Sequence, residues 1–389
     1  MTVSGQRRGP RVVRAITLLV LLVGTLLRPP PTAGRSSSPS PDEVLLLLDV
    51  ATQTMVARTE ALLQSPDATK LGIGSNAVAH PSQSFADLEA AARSELDARR
   101  EVLREVGEEY AAGHSALVLV NSDLRAGAIS LHVEERTDLV WVSAPGEDAV
   151  VTEFVTPRRF DFVADATGWA LVANEIEGGG PAPVNEGVGL SEGAMRDELA
   201  PARAAVERFT LTQGSPSPDA PDPGGGSGKT GPYNYTAMVN YANTYWDNYN
   251  SAYRNFAGEE EGGDCTNFIS QAMKAGGWEE LSGFYRDDNY WWYNFLNQTW
   301  TWINVQYWYT FAKVRSGRTT LRSDPYNMVP SDVLQVDWGN DGTKNHTMIV
   351  TARNNGVPLL TYHSNDTHNR SLSNLMTANP GARWLPHKT

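Results

Sequence analysis

Cysteine is almost missing from this chain: 389 residues carry one thiol, Cys265. An internal disulfide is therefore excluded, and the sulfur is free. Excess positive charge is also lacking. A formal net charge of −13 argues against nucleic acid as a partner, whose phosphates demand a basic surface. Past residue 27 no apolar run is long enough to cross a bilayer, so no stable membrane insertion is expected once a leader is removed. No grouping of ligand-type residues suggests a metal, and no cofactor is called for.

What is present begins with a leader. Arg7, Arg8, Arg11 and Arg14 precede an apolar run over 15–27 and the segment Pro29-Pro30-Pro31-Thr32-Ala33. That layout predicts a signal peptide over residues 1–33 and a secreted or cell-wall-associated product, with a signal-anchored form as the alternative. A second punctuation mark is the Pro/Gly/Ser-rich stretch 212–232, which cannot bury apolar surface and reads as a flexible linker. It predicts an accessory unit over 42–211 and a second unit over 233–389 that folds and acts without the first.

Apolar residues recur at helical spacing over 43–63 and 85–110, as in Leu88, Ala92, Leu96 and Leu103. Period-two alternation then predicts strands over 116–121, 128–136, 139–143, 150–157, 160–164 and 169–175. The first unit therefore reads as a small helix-plus-curved-sheet α+β domain without a catalytic constellation, and its His80, His114 and His132 are scattered.

In the second unit Tyr241, Tyr245 and Tyr249 recur every four residues, the spacing of one helix face. Then comes Gly262-Gly263-Asp264-Cys265-Thr266-Asn267-Phe268-Ile269-Ser270-Gln271, a glycine turn running into an amphipathic helix. A thiol in the first turn of a helix faces unpaired backbone N–H groups and the positive end of the helix dipole. That position predicts a partly exposed nucleophile with a depressed pKa. The dense rings that follow, Trp291, Trp302, Trp308 and Phe311 among them, are expected to fill a core that has no disulfide, with a few near 290–293 lining a cleft. Strands are expected over 332–338, 346–352 and 359–363. His346 opens the second of these and shares a face with Met348 and Val350. A thiol nucleophile needs a rigid base oriented through its other nitrogen. His346 meets that need, with His363 or Asn365 delivered by the neighbouring strand, whereas His368 lies in a loop and His387 in the tail.

The cysteine motif, the tyrosine-rich helix before it, Asn345-His346-Thr347 and His363-Ser364-Asn365-Asp366 together resemble the putative amidase domain family. Members are similar to papain-like cysteine hydrolases related to the CHAP amidohydrolase/peptidase domains of bacterial cell-wall enzymes. The resemblance runs from about Tyr233 to near the end of the chain. It implies an α+β fold with the nucleophile-bearing helix packed on an antiparallel sheet, Cys265 as nucleophile and His346 as base. The chain departs from the family pattern at His363-Ser364, which leaves His363, Asn365 and Asp366 as competing orienters. The implied activity is amide hydrolysis through a thioester, on peptidoglycan or a peptide. The competing reading is a non-catalytic cell-wall-binding or interaction protein on the same scaffold.

Overall fold

The computed structural model describes residues 39–143, 149–212, 232–257 and 263–389. The expected signal at 1–33 and linker residues 213–231 lie outside the described residues.

The first helix, α1 (Pro41–Glu60), starts where Ser40 and Glu43 form a reciprocal capping box, which satisfies two orphan N–H groups. After the short strand β1 (Ala79–Pro81) comes α2 (Gln83–Arg104), capped by Ser82. An antiparallel meander follows, formed by β2 (Tyr110–Arg125), β3 (Ala128–Trp141), β4 (Val151–Ala164) and β5 (Trp169–Ile176). Two pairs of expected strands are thus single long ones. The polar residues that seemed to interrupt them are paired inside, since Arg158 donates to Glu135 with both side chains fully buried. Thr137 donates to the same carboxylate.

Helices α3 (Glu192–Glu198) and α4 (Ala200–Thr212) end this part of the chain. The next part opens with α5 (Tyr235–Tyr245), which stops one turn short of Tyr249, and continues into α6 (Asp264–Ala275). A two-residue hairpin of β6 (Tyr293–Asn294) and β7 (Asn297–Gln298) leads to α7 (Trp300–Ile303) and α8 (Val305–Tyr309). The remaining elements are β8 (Thr320–Leu321), β9 (Val333–Asp337), β10 (His346–Asn354), β11 (Val357–Tyr362), β12 (Thr367–Ser371), α9 (Leu372–Ala378) and β13 (Arg383–Lys388).

Eleven of the described strands make one mostly antiparallel sheet in the order β1-β5-β4-β12-β11-β10-β9-β13-β8, with β3 and then β2 beyond the other side of β4. Strand β4 is the seam. One of its edges pairs with β3 throughout, while the other is shared between β5 and β12, through Thr367 opposite Phe154 and His368 opposite Glu153.

The boundary expected at 212–232 is not a boundary of the core. Val102, Val106, Met195, Leu199 and Ala202 pack in one cluster with Leu334, Val336, Met348, Val350 and Leu360. Leu62, Tyr110, Trp141 and Phe154 likewise cluster with Leu359. The protein is a mixed α+β molecule whose two halves share a sheet and two cores. A second face of the sheet, at Val333 and Ile349, is covered by α6 and the aromatic cluster of Trp278, Trp291, Trp302, Trp308 and Phe311. Among the described residues no helix is long and apolar enough to cross a membrane, and no group of three His, Cys, Asp or Glu could hold a metal ion.

Candidate active site

The start of α6 is unusual in being buried on all sides, from Asp264 to Met273. Gly263 precedes it at φ 62°, a conformation that L side chains rarely adopt. The polar residues of the helix are satisfied by the surrounding rings. Trp302 donates its Nε1–H to Asn267 at 2.9 Å, Ser270 donates to the Trp302 carbonyl at 2.8 Å, and Trp291 donates to Ser270 at 3.2 Å.

Asp264 and Cys265 occupy the first turn. Asp264 accepts from the Phe256 N–H and from Asn267 Nδ2, both at 2.9 Å, and its second oxygen accepts from His363 Nδ1. Cys265 is 4% exposed. Its sulfur lies 3.8 Å from Thr266 Oγ1, and the Thr347 backbone amide is near enough to favour its anion. Thr266 and Thr347 are joined through their hydroxyls at 3.0 Å. Burial pushes the thiol up to about 11, and the Asp264 charge adds to the rise against the partial relief from Thr266 and Thr347. The expectation of a partly exposed, depressed thiol is corrected here. Desolvation of the thiolate outweighs the helix-start N–H groups, and the neighbouring carboxylate opposes their positive end.

His346 begins β10 opposite Val336 and shares the Met348 and Val350 face. Its ring stands edge-on to Tyr362 at 5.2 Å and is stacked with Trp338 at 6.3 Å. Its Nε2 is buried with no hydrogen-bond partner among the described residues. Burial, and then the charge of His363, push the imidazole down to about 3, so it is neutral near pH 7. Helix α6 packs on the opposite, Val333 and Ile349, face. Cys265 lies with α6 near the start of β10, the His346 side chain belongs to the other face of that strand, and no hydrogen bond joins the two among the described residues.

His363 follows β11 on the α6 side. Its ring lies between Tyr249 at 4.2 Å and Phe268 at 4.1 Å. Nδ1 meets Asp264, and Nε2 meets the Tyr245 carbonyl at 2.8 Å. A carbonyl oxygen and a carboxylate both accept, so both ring nitrogens carry hydrogen. Burial opposes that charge, but the Asp264 hydrogen bond and the charges of Asp366 and Asp264 hold the imidazole above its ordinary value. The commitments of their nitrogens separate the two histidines: His363 has no free lone pair, and His346 has one.

Comparison with known proteins bears on the later part of the chain. Residues 232–385 match the family described as Putative amidase domain. The chain is similar to Uncharacterized protein YhbB of Bacillus subtilis (strain 168), 30% identical over 146 residues that cover 37% of this chain and 45% of that protein. It is also similar to Uncharacterized protein YjcM of the same organism, 28% identical over 163 residues that cover 39% of this chain and 36% of that protein. The chain therefore spans less than half the length of these curated relatives. No solved structure matches it.

The matched segment brings Cys265 and His363 to the start of α6, places His346 against Tyr362 and Trp338, and leaves Asn365 to one side. Asn365 donates its Nδ2 to the Pro181 carbonyl at 3.0 Å and makes no bond to His346. Asp366 accepts from the Tyr249 hydroxyl at 2.9 Å and the Ser364 N–H at 3.2 Å, and burial raises its carboxyl to about 6. His368 lies against Trp246 and bonds Glu153, while His387 of β13 bonds Thr319, just before β8. Sequence reasoning missed Asp264 and the stacking role of Tyr249. An acid directly before the nucleophile was the available signal for the first, and the tyrosine spacing for the second.

A neutral, buried thiol has a measurable consequence. Iodoacetamide should modify Cys265 about a hundredfold more slowly at pH 8 than a free thiol, with the rate still rising above pH 10. Rapid labelling near pH 7 would contradict the burial and charge described above.

Proposed function

We propose that this chain is an exported cysteine amidase or peptidase with a papain-like arrangement, which cuts amide bonds in peptidoglycan peptides through a thioester. The observation that carries the reading is a buried thiol in the first turn of α6, a helix tied through Thr266 and Thr347 to the strand whose first residue is a neutral histidine with an unpartnered Nε2. In this reading the His346 imidazole takes the thiol proton. The thiolate attacks the amide carbon, and the oxyanion is held by the Cys265 backbone N–H, a group with no i−4 carbonyl to bond at the second helix position. His346 returns its proton to the leaving amine as the C–N bond breaks. It then removes a proton from the water that hydrolyses the thioester, and the thiol is restored. Peptidoglycan as substrate rests on the resemblance to cell-wall enzymes, and export rests on the leader over 1–33.

The absence of a thiol–imidazole hydrogen bond, with His346 and α6 on opposite faces of the sheet, favours the competing, non-catalytic scaffold. Incubation of the full chain with defined muropeptides, followed by mass spectrometry, decides between the two readings. Cleaved peptides and a trapped thioester on Cys265 are expected. Intact muropeptides, with no adduct from an amide-mimicking thiol probe, would rule out the enzyme.

A further inference from the structure

His363 is followed by two consecutive non-glycine residues in the left-handed region, Ser364 at φ 70° and Asn365 at φ 58°. Such residues persist only where their surroundings over-determine them. The surroundings here come from the other half of the chain. The loop after β5 passes over the turn as Gly178-Gly179-Gly180-Pro181-Ala182. Gly180, at φ 100°, lies so close that a Cβ on it would stand 2.1 Å from the Ser364 carbonyl oxygen. A Cβ on Gly178 would stand 2.6 Å from Asn365 Oδ1. The Pro181 carbonyl accepts from Asn365, and the Ala182 carbonyl accepts from the fully buried Arg370 of β12 at 2.6 Å. The same turn carries Asp366, whose carboxyl bonds Tyr249, the ring stacked on His363.

We propose that residues 178–182 are a strap that positions His363 for the reaction at Cys265, with Gly180 and Asn365 as its positioning residues. The proposal rests on the reading of Cys265 as the nucleophile. It gives the first half of the chain, which lies outside the matched segment 232–385, a part in building the site. Only glycine permits the strap to approach at residue 180. The Asn365 amide then fixes the turn to the strap, so the His363 ring is held between Tyr249 and Phe268 with its Nδ1 on Asp264. Asp264 in turn adjoins the nucleophile.

The test uses the full chain with isotope-labelled histidine. Gly180→Ala places a methyl group against Ser364 and should lower kcat about ten- to a hundredfold with little change in KM, as expected for misplacement near the chemistry. The His363 titration followed by NMR should move down toward the ordinary histidine value near ~6.5. Asn365→Gly removes the bond to Pro181 while keeping the left-handed conformation accessible, and should shift both readouts the same way by a smaller amount. Gly179→Ala, whose Cβ would meet open space, should behave as wild type. A Gly180→Ala protein that melts earlier but keeps the wild-type kcat and His363 titration would overturn the proposal. Should that variant not fold, an unchanged Asn365→Gly protein would overturn it. A chain that hydrolyses no amide yet shows the titration shift would sink the catalytic reading and leave the strap standing.

Discussion

Replacing Cys265 by Ala or Ser removes the thioester and nearly all turnover, and His346→Ala costs about a thousandfold or more in kcat. Both changes disable the same step, so the double variant is no worse than Cys265→Ala alone. His363→Gln has a different signature. That side chain removes the charge beside Asp264 without supplying or removing a base, so activity falls less and the thiol becomes still harder to ionise. Kinetics on a cleaved muropeptide, with alkylation of Cys265 across pH for each variant, checks the whole series. A fully active His346→Ala protein beside an inactive His363→Gln protein would exchange the roles assigned to the two rings.

A fragment starting at Gly231 does not fold. Its sheet would lose the cover that Val102, Val106, Met195, Leu199 and Ala202 give to Leu334, Val336, Met348, Val350 and Leu360. It would also lose the pairing of β12 with β4. A buried aliphatic side chain of this kind contributes about 1.5–3 kcal/mol. Whole domains retain only about 5–15 kcal/mol of net stability, so several such losses exceed what the fragment can hold. Circular dichroism and a urea titration of 231–389 beside the full chain provide the measurement. A cooperative transition in the fragment with a native-like near-UV spectrum would contradict the shared core.

The local features of this molecule were readable in its sequence, and the distant ones were not. The glycine turn into an amphipathic run announced α6, and alternation around Leu334, Met348 and Leu360 announced the strand that His346 opens and the one that ends just before His363. The pairing of β12 with β4 was not legible, because a strand's edge carries no address and the partners lie more than two hundred positions apart in the chain. A Pro/Gly-rich stretch says that its own residues are not core. It does not say that the segments it joins have separate cores. The state of Cys265 was misjudged for a similar reason. Helix position can be read from spacing, but the desolvation that overrides it depends on Trp291, Trp302 and Thr347 closing around the helix. Asn365 looked like an orienting amide because it follows His363, and only the approach of Pro181 reveals where that amide is spent.

The depth at which Cys265 is held also bears on how long the protein lasts. Peroxides and disulfides react with a sulfur anion far faster than with its protonated form. A sulfhydryl ionising at about 11 is almost wholly protonated at the pH of most natural waters, and its burial keeps a second copy from reaching it. The molecule can therefore wait in an oxidising medium without cross-linking through its one thiol or turning that thiol into a sulfinic acid.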